Sequence, residues 1–240
     1  GKVGVKVQVA NNTDKEQKVR VQALMTDPKG VDPVGETAPL VIPPHSTGEV
    51  DIPLVISNVR PWSPDNPNLY TLSVEVWKAA GGADAKNPAH LLDNRSMRVG
   101  VRTVDITEKG LVLNGSLFPE KLIGGNRHQD FARLGNAVPN NLQWQDAVKL
   151  RKAGMRVIRS AHYPQDPAFM DACDRLGLFV IVATPGWQFW GKGPFADRVY
   201  DDVRQMVRRD RNHPSVMMWE PILNETHYPK DFTKKVRDLV

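Results

Sequence analysis

At about Thr103 the hydrophobic pattern of the chain changes period, and this change restricts the fold more than any other feature of the sequence. Up to that point apolar residues recur at every second position, the mark of half-buried strands. Val3, Val5, Val7 and Val9 alternate with polar or small residues. Val19-Val21-Ala23, Val50-Ile52-Leu54 and Leu72-Val74-Val76, within Leu69 to Trp77, repeat the pattern, and Met97 to Val101 closes the set. Between them stand Asn11-Asn12, Asp27-Pro28-Lys29-Gly30, Pro43-Pro44, Gly81-Gly82 and Asn87-Pro88, which carry turn chemistry. Short strands separated by turns over about 100 residues predict an immunoglobulin-like β-sandwich across residues 1–103.

Beyond Thr103 strands and helices alternate. Leu122 to Gly125 reads as a short strand and Asn141 to Ala153 as a helix. Met155 to Ser160 is a second strand, followed by a helix with Asp166 as N-cap, Pro167 at its first position and Gly177 after its end. Leu178 to Val182 has the continuous apolar character of a strand covered on both faces. Ala196 to Asp210 is a helix striped by Val199, Val203, Met206 and Val207. Ser215 to Trp219 is a fourth strand, and a last helix starts near Pro229. This alternation predicts a parallel sheet with right-handed crossovers over residues 104–240, either doubly wound or half of an eight-stranded barrel. Gly124-Gly125-Asn126 does not make a dinucleotide fingerprint. Polar residues do gather where the strands end, which is where a barrel builds its active site.

Composition narrows the function. The net charge of +5 divides as 12 basic against 11 acidic residues up to Thr103 and 20 against 16 beyond it. Even Arg198 to Arg211 interleaves Asp197, Asp201, Asp202 and Asp210, a mixed surface that argues against nucleic acid as a partner. A membrane is not expected either, since no apolar run approaches the roughly 18 residues of a spanning helix. A single cysteine, Cys173, rules out an internal disulfide framework or a cysteine-rich zinc module and reads as a small buried residue.

Glu225, following Asn224 after the fourth strand, is the strongest chemical candidate. Partly desolvated among Trp219 and Trp187, such a carboxylic acid would hold its proton near neutral pH and donate it to a leaving group; the alternative is a solvated loop glutamate. His128 and His162 follow adjacent strands and would meet at one rim, to bind a polar substrate or a metal, or simply as satisfied rim histidines. Asp130, two residues after His128, keeps a metal-dependent barrel hydrolase among the alternatives. Trp187, Phe189 and Trp190 offer either an aromatic face for sugar C–H surfaces or loop packing.

Four stretches, in order, resemble glycoside hydrolase family 2, the family of β-galactosidases, β-glucuronidases and β-mannosidases. Trp62-Ser63-Pro64-Asp65-Asn66-Pro67-Asn68-Leu69-Tyr70 is similar to the signature of its immunoglobulin-like domain. Leu113-Asn114-Gly115 with Gly125-Asn126-Arg127-His128 is similar to the entry of its barrel, and Arg159 to Pro164 to the second barrel strand. Arg209 to Val216, running into Trp219 and Asn224-Glu225, resembles the fourth strand and its acid/base motif.

The resemblance implies a sandwich over 1–103 followed by the first four βα units of a TIM barrel over 104–240. It also implies a β-galactosidase-like activity on a carbohydrate substrate, with Glu225 as general acid/base and Asn224 on the hydroxyl beside the anomeric carbon. Asn126, His128, Arg159, His162 and Trp187 would complete the sugar subsite. Retention of configuration requires a second carboxylate as nucleophile. In the family it is a glutamate on a later strand, whereas only Asp231 and Asp238 follow Glu225 here, so the chain alone is expected to be inactive. Relatives commonly end the third strand with acidic residues, some serving a magnesium site; Val182-Ala183-Thr184-Pro185 stands there instead, so no metal and no cofactor is assigned. Family analogy favours a periplasmic or secreted location. A second class of function remains, a non-catalytic carbohydrate-binding or assembly module whose half barrel docks on a partner or on another copy in a homo-oligomer.

Overall fold

The computed structural model describes residues 1–31, 33–79 and 90–240, so the turns expected at Gly81-Gly82 and Asn87-Pro88 lie outside the described residues. It divides into two units: residues 1–60 with 69–101, and residues 61–68 with 102–240. Residues 61–68, read from the sequence as sandwich, therefore group with the second unit.

In the first unit β1 (Lys2–Asn11), β2 (Gln17–Thr26), β3 (Val34–Ile42), β4 (Ser46–Val55), β5 (Tyr70–Lys78) and β6 (Leu91–Val99) form two sheets, β1-β4 and β3-β2-β5-β6. All pairings are antiparallel. The inward residues are the alternating ones, with Val21, Ala23, Ile52 and Leu54 almost fully buried. The Asp27 to Gly30 turn closes through Gly30 N–H donating to the Asp27 carbonyl at 2.9 Å. Strand β3 is an edge strand in which Val34, Ala38, Leu40 and Ile42 face the core, Glu36 interrupts their alternation, and Pro39 is tolerated on the exposed face. Strand β6, the other edge, begins earlier than the alternation suggests, since it is exposed along nearly its whole length. A cavity of about 720 Å³ in this unit is lined by residues including Val7, Val9, Val74 and Val76, with no aromatic ring among the described lining residues to serve as a sugar platform.

The second unit opens with β7 (Val104–Thr107), β8 (Gly110–Leu113) and β9 (Ser116–Leu117), an antiparallel set in which Asn114 and Gly115, at φ 52° and 80°, make the two-residue hairpin turn. There follow β10 (Gly124–Arg127), α1 (Asn140–Lys152), β11 (Val157–Ser160), α2 (Pro167–Leu176), β12 (Phe179–Ala183), α3 (Phe195–Asp210), β13 (Val216–Glu220) and α4 (Lys230–Arg237). The four later strands form a parallel sheet in chain order, β10-β11-β12-β13. The Asp166 carboxylate caps α2 by accepting from Ala168 N–H at 2.8 Å, and Gly177 ends it at φ 69°. One core joins the strands to the helices, with Ile158, Val180, Val182, Phe169, Met170 and Val203 buried. Cys173 lies in it, and burial pushes its thiol well above the ordinary range. No described helix is long and apolar enough to cross a membrane.

Trp62 is fully buried in this unit, its indole N–H donating to the Asp174 carbonyl at 2.8 Å and its ring edge-on to Phe179 at 5.6 Å. The Asp174 carboxylate accepts from Ser215 N–H and pairs with His213 Nδ1 at 2.6 Å. Burial opposes protonation of His213, but the Asp174 hydrogen bond and the charges of Asp174, Asp210 and Asp171 outweigh it and raise its pKa. A raised folded-state value gives stabilisation that is complete below the ordinary imidazole value of about 6.5 and is lost as pH rises through the folded value. His213→Gln should therefore lower unfolding free energy by about 1–2 kcal/mol near pH 5.5 and by less near pH 8.5. Denaturant melts at the two pH values check this, and a pH-independent difference would contradict it.

Candidate active site

Strand pleating sorts the residues at the strand ends into two faces. Register pairs Asn126 with Arg159, Arg159 with Ile181, and Ala183 with Glu220, so these residues share one face. The intervening Arg127 points the other way and is buried, its guanidinium 4.0 Å from the Phe169 ring centroid and bonded to Gln143 and Asp146. It is a core residue, although it stands between two residues of the proposed subsite.

Arg159 organises the open face. Its Nε and Nη2 donate to the two oxygens of Glu220 at 2.7 and 2.6 Å, a two-point pair spanning from β11 to β13. Nη2 also reaches Asn224 Oδ1 at 3.2 Å, and Nη1 reaches Asn126 Oδ1 at 3.5 Å. Register sets Arg159 opposite Ile181 and Glu220 opposite Ala183, so the pair reaches across β12. Glu220 is a residue of this face that the sequence reading did not single out. The signal for it was a carboxylate at the end of the fourth strand on the same pleat face as Met218.

His162 packs against Trp187 with rings 5.0 Å apart and 18° from parallel, and edge-on to His128 at 5.6 Å. Burial, Arg159 and His128 all pull its pKa down, so the ring is neutral at neutral pH, and its Nδ1 is a buried atom without a hydrogen-bond partner. His128, His162 and Trp187 therefore meet at one rim. Of the aromatic loop cluster, Trp187 and Phe189 are exposed, whereas Trp190 packs on Phe195, Tyr228 and Phe232 as core.

Glu225 is exposed rather than walled by tryptophans; Trp219 packs against the helix-side core. Its backbone sits at φ 60°, in the left-handed region that non-glycine residues seldom occupy. Its Oε2 accepts from Gln188 Nε2 at 2.7 Å. The residues present do not suit the magnesium site of some relatives. The end of β12 offers Ala183, Thr184 and Pro185, none of them a metal ligand of that kind, and an amide donor engages the Glu225 carboxylate. The described residues do cluster Asp171, Asp174 and His213, but these surround the start of β13, away from the strand ends.

In chain order, a β-sandwich is followed by parallel βα units with polar residues gathered at the strand ends, the arrangement with which a TIM barrel begins. The chain belongs to family 2: residues 1–102 match the model described as glycosyl hydrolases family 2, and residues 104–239 its TIM barrel domain. It is 37% identical over 186 residues to a β-galactosidase of Thermoanaerobacter pseudethanolicus, covering 77% of this chain and 24% of that protein. A solved family 2 member from Bacteroides cellulosilyticus superposes with a TM-score of 0.84 at 29% identity, over 99% of this chain and 31% of the other. A Bacteroides uniformis β-glucuronidase shares the fold, with a TM-score of 0.82 at 23% identity over 99% of this chain and 28% of the other. The chain thus spans about a quarter to a third of the length of these proteins. The four parallel strands are the beginning of the family's barrel.

Proposed function

We propose that this chain supplies the acid/base half of a retaining β-glycosidase that acts on terminal β-galactosides. The observation that carries the reading is the Arg159 hub, which from the end of β11 ties Asn126 of β10 and Glu220 and Asn224 at the end of β13 into one rim, next to Glu225. In the first step Glu225 gives its proton to the glycosidic oxygen as that bond breaks, and a carboxylate nucleophile bonds the anomeric carbon. In the second, ionised Glu225 takes a proton from the water that releases the sugar. Asn224 binds the hydroxyl beside the anomeric carbon. Asn126, His128, Arg159 and His162 line the subsite, and Trp187 gives it an aromatic wall.

Charge favours a neutral sugar over a uronate. Arg159 has its guanidinium committed to the Glu220 carboxylate and two asparagine oxygens, and His162 is held neutral. Neither offers a free cation to a substrate carboxylate. A β-galactosidase among the relatives supports this choice.

The nucleophile must come from outside these residues. Both Glu220 oxygens are held by Arg159, and Asp231 and Asp238 lie in α4 and at its C-cap. The purified 240-residue chain is therefore expected to hydrolyse no aryl β-galactoside. The same residues within a complete barrel should cleave the galactoside in preference to the corresponding glucuronide. Turnover by the chain alone, abolished by Glu225→Gln, would overturn the first expectation; preference for the glucuronide would overturn the second.

A further inference from the structure

We infer that Gln188 is the positioning residue of the acid/base, holding Glu225 Oε2 so that the transferable proton resides on Oε1 and faces the leaving group. The inference rests on the assignment of Glu225 above and adds to it the atom that acts and the group that aims it.

Gln188 lies in the loop between β12 and α3, and it makes two bonds to consecutive residues of the loop after β13. Its backbone N–H donates to Thr226 Oγ1 at 2.9 Å and its side-chain Nε2 donates to Glu225 Oε2 at 2.7 Å. The Thr226 hydroxyl lies 3.5 Å from the Asn224 carbonyl, so the brace extends to the residue on the other side of the glutamate. Gln188 and Glu225 sit at φ 58° and 60°, two non-glycine residues in a sparsely populated backbone region that face each other through their side chains. Residue 187, the neighbour of Gln188, is itself anchored by stacking on His162. The β12 loop is thus pinned to the sugar rim at one residue and to the proton donor at the next.

The chemistry of an amide suits this place. A retaining glycosidase needs its acid/base protonated in one step and ionised in the other. A cation or a metal on Oε2 would favour the ionised form and oppose donation, and a second carboxylate would repel it. The amide N–H keeps one charge state throughout and can donate to Oε2 whether or not Oε1 carries the proton. With Oε2 engaged, Oε1 is the oxygen left for the leaving group.

The test is a leaving-group series of aryl β-galactosides, run on an enzyme that carries these residues within a complete barrel. Gln188→Met keeps the length of the side chain and the backbone bond to Thr226 but removes the donor. For a dinitrophenyl leaving group, which departs without protonation, kcat/KM should stay within about twofold, whereas for unactivated phenols it should fall about 10- to 100-fold. In a Glu225→Gln background, Gln188→Met should add nothing to the leaving-group dependence. Should Gln188→Met fail to fold by its thermal melt, Gln188→Ala replaces it in the same series. A uniform loss across the series, which a loop brace alone would give, overturns the inference, as does no loss at all. If Glu225→Gln leaves the leaving-group dependence unchanged, the acid/base assignment itself fails; if Glu225→Gln steepens it and Gln188→Met does not, only the role of Gln188 fails.

Discussion

Glu225→Gln, in an enzyme with the complete barrel, should lower kcat/KM for β-galactosides with poor leaving groups by about 10²–10⁴-fold, the range general acid catalysis supplies. The substitution keeps the shape of the side chain and removes the exchangeable proton. Because Glu225 is exposed and, among the described residues, its side chain is bonded by Gln188 alone, the fold has little to lose, and the thermal midpoint should move by no more than a surface change does. The two chemical steps then separate. A dinitrophenyl galactoside needs no proton to expel its leaving group, so its first step persists; release of the sugar lacks a base, and the glycosyl-enzyme accumulates. A burst of dinitrophenol followed by slow turnover is the expected trace. Full activity on an unactivated galactoside would remove Glu225 from the mechanism.

What the sequence disclosed follows from where burial is one-sided. Strands β1, β2, β4 and β5 alternate because one face of each meets a core, and helix α2 is announced at both ends by Asp166-Pro167 and Gly177. Strand β6 is an edge exposed on both faces, so little periodicity remains to be read, and in the edge strand β3 the exposed Glu36 interrupts the alternation of Val34, Ala38, Leu40 and Ile42. The candidate site residues were visible where they end or follow a strand, as with Asn126, His128, His162, Asn224 and Glu225. The pairing of Glu220 with Arg159 was not, because it depends on the parallel register that brings two residues 61 apart in the chain together across β12. Gln188 stands in an irregular loop, where no period constrains a side chain, and only the left-handed backbone and the 2.7 Å bond to Glu225 single it out.

The segment from Pro61 to Asn68 carries the second large effect. Within the second unit it is tied down at several points. Arg151 donates to the Pro64 carbonyl, Arg156 pairs with Asp65, Asn114 donates to the Trp62 carbonyl, and a Cβ on Gly177 would come within 2.0 Å of the Pro64 oxygen. Trp62 is the centre of this anchorage, fully buried, with its ring on Phe179 and its indole N–H on the Asp174 carbonyl. Trp62→Ala should therefore destabilise the second unit by about 3–5 kcal/mol, the cost of deleting a buried aromatic and leaving the cavity. That is a large part of the roughly 5–15 kcal/mol that holds a domain together. Trp62→Phe should lose less, about 1–2 kcal/mol, since the ring contact largely survives while the Asp174 carbonyl loses its donor. The same Asp174 holds His213 and Ser215 through its carboxylate, so the two substitutions should be coupled: His213→Gln should cost less in the Trp62→Ala background than alone. Denaturant midpoints of the four variants near pH 5.5 measure both quantities. A loss below about 1 kcal/mol for Trp62→Ala, the size of a surface change, would contradict this anchorage.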